Sequence, residues 1–186
     1  MLKIIIDAGH GPHTPGKRSP DGQLREFEFN EAVAKRLKKN LQSQNVLCIF
    51  SHDINRDVPL NERITLANRM KADLFISIHA NAFGTHWNEV NGIETFTWVN
   101  AKSVTRSFAT LIHQEVIKST GRKNRGIKQG NFAVLRETNM PAVLVECGFM
   151  TNKKEMKLLK EPMYQQQCAD GISNGIQRFI EGTKQC

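Results

Sequence analysis

"LKIIIDAGHG" occupies residues 2–11, and how it is read decides the fold. A short apolar run that ends abruptly is the signature of a strand buried on both faces, as in a parallel sheet. The run stops at Asp7, and two small residues carry the chain to His10. Two other stretches share this shape. "DLFISIHAN" (73–81) places His79 near its end, and "PAVLVECGF" (141–149) places Glu146 there. "VLCIF" (46–50) is a further strand, while "GIETFTWV" (92–99) alternates and suits a position nearer a sheet edge.

Helical periodicity fills the intervals. In 28–44, Phe29, Ala32, Val33, Leu37 and Leu41 recur on one face with Lys and Arg opposite. In 59–72, Pro59 suits a first turn, and Leu60, Ile64, Ala67 and Met70 form a stripe. A third helix covers 103–121, with Gly121 at its C-terminal end. "FAVLRET" (132–138) reads as strand or loop, and "NKKEMKLLK" and "YQQQCADGISNGIQRFI" close the chain as helices. Pro12, Pro15, Gly16, Pro20 and Gly22 mark a loop between the first strand and the first helix. Strands alternating with helices predict α/β architecture: a single domain over 1–186, core about 2–181, with a mainly parallel twisted sheet covered by helices on both faces. No linker or repeat points to a separate wall-binding domain.

Composition narrows the rest. The 26 basic and 18 acidic residues of this 186-residue chain give a net charge of +8, which favours polyanionic partners. Neither a nucleic-acid motif nor a basic–aromatic stacking pattern is present. No window holds the ~18 consecutive apolar residues of a transmembrane helix, and "MLKIIIDAGH" turns acidic too early for a signal peptide. Cys48, Cys147, Cys168 and Cys186 are scattered without a Cys-x-x-Cys pair, so neither a disulfide scaffold nor a cysteine metal site is expected.

Ligands in open α/β sheets gather at the carboxyl ends of the strands. Parallel strands would bring His10, His79 and Glu146 to one edge. A lone strand-end histidine is usually structural. Two in equivalent positions suggest a catalytic zinc, which takes three protein ligands and leaves one position open. From spacing, Glu26 and Glu28 are about equal candidates for the third ligand, against the competing role of acids at a helix N-terminus. Glu146, after four apolar residues, is costly to bury without a purpose and suits a general base. Asp7 either orients the ligand shell or holds the turn. His13 lies near His10, but a fourth ligand would close the site. His52 and His113 read as surface residues.

The ordered blocks "IIIDAGHG", "LNERITLANRMKADLFISIHANA", "GIETF" and "RGIKQGNFAVLRETNMPAVLVECGFMTN" resemble the zinc-dependent N-acetylmuramoyl-L-alanine amidases of the amidase_3 type, over nearly the whole chain. The resemblance implies a peptidoglycan hydrolase cutting the amide between the lactyl group of N-acetylmuramic acid and L-alanine. It implies one Zn2+ on His10, Glu26 and His79, with "EFEFN" as the local version of the glutamate block, and Glu146 as the catalytic glutamate. Asn81 and Arg136 are candidates for substrate contact. The implied partner is peptidoglycan, with anionic wall polymers engaged through the positive charge. A phage lysin, a mother-cell autolysin or an excised catalytic domain would each suit these features.

Overall fold

The computed structural model describes residues 1–14, 16–42 and 46–183; Pro15, the last two residues of the helix expected over 28–44, and Cys186 lie outside them. The elements in chain order are β1 (Leu2–Ala8), α1 (Glu26–Leu41), β2 (Val46–Phe50), α2 (Leu60–Arg69), β3 (Leu74–Asn81), β4 (Ile93–Thr97), α3 (Ser103–Thr120), β5 (Asn124–Gln129), α4 (Ala133–Arg136), β6 (Ala142–Phe149), α5 (Lys153–Lys160) and α6 (Pro162–Thr183). One six-stranded sheet runs β2-β1-β3-β6-β4-β5. The first four strands are mutually parallel, and β4 joins β6 antiparallel and β5 parallel. The expected mainly parallel α/β sheet is therefore what forms.

The period of two along each strand divides the core. Ile4 and Ile6, Ile76 and Ile78, Val143 and Val145 point to a large apolar layer with α1, α3 and α6. Ile5, Phe75 and Leu144 point to the opposite face and pack on α2 and α4. Phe75 is fully buried, and its truncation to Ala would cost about 3–5 kcal/mol. On the large-layer side α6 approaches α3 so closely that a Cβ at Gly171 would stand 2.6 Å from the Val116 Cα.

Several expectations are corrected. β5, "NRGIKQ", is a polar strand at the sheet edge and carries no apolar alternation to reveal it. β4 does lie nearer an edge, as its alternation suggested, as the penultimate strand inside β5. "FAVLRET" contains a single helical turn, α4, which buries Val134 and Leu135. In α2, Leu60 is 55% exposed, and the buried residues are Arg63, Ile64 and Ala67. That helix ends at Arg69, before Lys71 takes a φ of 47°. His113 is buried rather than on the surface. Its ring lies 2.9 Å from Thr95 Oγ1 and 2.8 Å from Asn124 Oδ1, tying α3 to β4 and β5. His52 is half-buried, and its Nδ1 accepts the Ala8 N–H at 3.1 Å.

Candidate active site

The small-layer face changes character toward the strand ends. Ile5 and Phe75 are paired in register; two residues on, Asp7 pairs with Ser77; beyond them His79 sits beside Glu146, and Glu146 beside Glu94. Apolar floor thus gives way to ionisable groups on the same face, because alternate residues of each strand share a side. The chain then turns back at Gly9–His10. His10 has a φ of 67°, a left-handed conformation that costs a non-glycine residue about 1–2 kcal/mol. The turn is tied down: the Gly9 N–H donates to the Ile78 carbonyl at 3.0 Å, and Asn30 Nδ2 donates to the Gly9 carbonyl at 3.0 Å. Gly9 leaves room for the neighbouring ring, since a Cβ there would lie 2.1 Å from His79 Cε1.

Glu26, the first residue of α1, is 2% exposed and stands between the two histidines. Its Oε2 is 3.0 Å from His10 Nε2 and its Oε1 2.8 Å from His79 Nδ1. Oε2 also accepts the Lys17 N–H at 3.1 Å. One donor atom from each of His10, Glu26 and His79 falls within a 4.8 Å span. The alternative Glu28 turns away, about 200° around the helix, and accepts the Arg25 N–H at 3.2 Å, closing the helix N-terminus.

The electrostatics follow from burial and pairing. Burial opposes the ionisation of Glu26, but hydrogen bonds and charge from His10 and His79 prevail and hold its carboxyl at about 2. Burial likewise opposes charge on His79, but Glu26 raises it to about 9. Glu146 moves the other way. Burial drives its carboxyl up to about 8, with His79 acting against the rise and Glu26 and Glu94 adding to it. Its Oε2 is buried without a hydrogen-bond partner. Glu94 is held low against burial by Lys128 and Arg125, at 2.5 and 2.6 Å.

His10, Glu26, His79 and Glu146 line a cavity of about 810 Å³, with Leu60, Phe96 and Phe132 on its apolar side. Asn81 lines it as well; its Nδ2 is 3.4 Å from Glu94 Oε2. Arg136 does not line it: its guanidinium is paired with Glu137 at 2.5 Å, in a different depression. The His13 backbone N–H is bound to Asp57 Oδ1 at 2.8 Å, and its side chain is outside the three-residue cluster.

Sequence reasoning missed Arg63, Ser51, Ser77 and Asn30. Arg63 and Asp7 form a buried ion pair at 2.8 Å directly below the histidines. The signal for Asn30 was its place on the apolar face of α1, one residue after Phe29.

Two nitrogen donors and one carboxylate oxygen form the donor set of a catalytic zinc site with an open position. Glu146 lines the same cavity and its Oε2 is buried without a partner, so these residues fit such an ion. Fold and site together define an α/β domain that gathers a cluster of ionisable groups at the carboxyl edge of its mostly parallel sheet. The family model for N-acetylmuramoyl-L-alanine amidase matches residues 4–178, and the chain belongs to that family. It is 35% identical over 184 residues to the N-acetylmuramoyl-L-alanine amidase CwlM of Bacillus licheniformis, covering 99% of this chain and 71% of that one. It is 34% identical over 178 residues to the sporulation-specific N-acetylmuramoyl-L-alanine amidase of Bacillus subtilis, covering 96% and 68%. The crystal structure of N-acetylmuramoyl-L-alanine amidase from Clostridium difficile superposes with a TM-score of 0.92 at 33% identity, covering 97% of each chain. The protein is an enzyme of this amidase class, and no helix among the described residues is long and apolar enough to cross a membrane.

Proposed function

We propose that the chain hydrolyses the amide between the lactyl group of N-acetylmuramic acid and L-alanine, with one zinc ion held by His10, Glu26 and His79 and with Glu146 as general base. The observation that carries this reading is the buried, unpartnered Glu146 oxygen in the cavity where the three candidate ligands converge. When bound, zinc supplies Lewis acidity to the scissile carbonyl and lowers the pKa of water.

The chain's own residues do the rest. Burial makes the ionised Glu146 carboxylate a stronger base than a free glutamate, and in that form it takes a proton from water as the oxygen attacks the lactyl carbonyl. As the C–N bond breaks, Glu146 returns that proton to the departing alanine nitrogen. Asn81, only loosely held by Glu94, is placed to donate to a substrate carbonyl. The apolar side of the cavity excludes water around the scissile bond. In this reading the enzyme serves cell-wall lysis or remodelling, and its net charge of +8 adds attraction to anionic wall polymers.

The test pairs the parent with Glu146→Gln on purified cell walls, measuring release of new amino termini and bound zinc. The variant should retain zinc and lose about 10²–10⁴-fold in rate. A variant as active as the parent would sink the assignment of the base. Activity indifferent to chelator would sink the zinc.

A further inference from the structure

The buried ion pair beneath the histidines lies at the edge of the cavity, and the proton transfers proposed for the amide chemistry use neither of its members. Asp7 and Arg63 are 2% and 3% exposed. A buried pair of this kind is weak as a source of net stability compared with apolar packing, so its place under the site calls for another reason. Both of its arms lead to candidate ligands.

The first arm runs through Ser77. Asp7 Oδ2 accepts the Ser77 hydroxyl at 2.6 Å, and Ser77 Oγ lies 3.0 Å from His79 Nε2. A carboxylate paired with arginine only accepts, and a hydroxyl has one proton. Ser77 gives that proton to Asp7, so it meets His79 as an acceptor, and Nε2 must carry hydrogen. The nitrogen left for a metal is Nδ1, the one that faces Glu26. The second arm runs through Arg63. Its Nη1 donates to the Ala8 carbonyl at 2.6 Å, its Nη2 donates to the His10 carbonyl, and its Nε donates to the Val58 carbonyl at 2.8 Å. One guanidinium thereby holds the left-handed turn that aims the His10 ring at Glu26.

We propose that Asp7 and Arg63 are positioning residues for the metal centre: Asp7, through Ser77, presents Nδ1 of His79 to the ion, and Arg63 clamps the turn that carries His10. The proposal rests on the reading of His10, Glu26 and His79 as zinc ligands.

Two serines make the test. Ser51 and Ser77 both donate to Asp7 at 2.6 Å, but only Ser77 reaches His79. Zinc affinity is measured by chelator competition on the parent, Ser51→Ala, Ser77→Ala, Arg63→Lys and His79→Ala, with thermal melts of the metal-free proteins to separate folding from binding. Ser77→Ala should bind zinc about 10-fold or more weakly, and Ser51→Ala within about twofold of the parent. Arg63→Lys keeps the charge but loses the three-carbonyl fork, and should also bind about 10-fold more weakly. Imidazole ¹⁵N spectra of the zinc-loaded parent should show His79 metallated at Nδ1 and protonated at Nε2. Equal zinc affinities for the two serine variants, or metallation at Nε2, overturn the proposal. A parent that binds no better than His79→Ala overturns the ligand assignment itself, and the His79→Ala arm tells the two failures apart.

Discussion

Gly9→Ala adds a single methyl group to the edge of the site. The new Cβ would stand 2.1 Å from His79 Cε1, 2.4 Å from Nε2 and 2.6 Å from Nδ1. Ordinary contact begins at 3.4 Å, so ring and backbone must separate by about 1.3 Å. The backbone resists, because the Gly9 N–H and carbonyl are bound to Ile78 and Asn30. The ring is held only by side-chain contacts, to Ser77 and Glu26, and turns about its own torsions, so it is the ring that swings. Gly9 is not among the positive-φ positions, so alanine adds no left-handed strain, and the effect isolates the methyl group. A displacement of about 1 Å at a catalytic centre costs about 10²-fold in rate, or roughly 2.7 kcal/mol of transition-state stabilisation. The assay is the initial rate of amino-terminus release from cell walls at saturating zinc, with a thermal melt to confirm folding. A folded variant within about fivefold of the parent rate would refute the claim that the His79 ring must rest on a bare Gly9.

Other changes reach other parts of the molecule. Glu28→Ala should leave zinc binding intact and cost about 1 kcal/mol in chemical denaturation, because Glu28 closes the start of α1, whereas Glu26→Gln should abolish tight zinc binding. Gly171→Ala should destabilise by about 1–3 kcal/mol in urea melts, since its Cβ would meet the Val116 Cα at 2.6 Å and push α6 from α3. Burial works against ionisation of Asp7, yet Arg63, Ser51 and Ser77 leave its carboxyl below the ordinary 3.8. A depressed carboxyl contributes stability that is present above the unfolded value and lost as pH falls through the folded one. Melting temperature of the metal-free protein should therefore drop on acidification below about pH 4, Glu26 adding to the same slope, and less steeply in Asp7→Asn. Parallel slopes would remove Asp7 from the acid response.

The three central strands were legible because a parallel sheet buries both faces, and Ile4–Ile6, Leu74–Ile76 and Val143–Val145 advertise that burial as unbroken apolar runs. β5 was not legible, because an edge strand of alternating partial exposure needs no apolar residues. The turn at Ala133–Arg136 escaped since four residues are too few for periodicity to separate helix from strand. His10, His79 and Glu146 were visible as polar endings to apolar runs. Choosing Glu26 over Glu28 required the family resemblance; the geometric reason is that the first helical residue faces inward and the third outward. Arg63 was hidden because arginine within a helix reads as surface. Its burial depends on Asp7, 56 residues away, which no local pattern reports.

The sheet is clothed unequally. Three long helices, α1, α3 and α6, seal one face, while α2 and the single turn α4 cover only part of the other. The candidate site's cavity lies on this thinly covered face, over residues of β1, β3 and β6. Part of its wall comes from Thr14, Lys17, Asp57, Val58 and Phe132, on connecting segments, beside Leu60 of α2 and Phe96 of β4. Val58 and Phe132 lie on segments that carry none of the three candidate ligands, so changes there alter what enters while leaving His10, Glu26 and His79 in place.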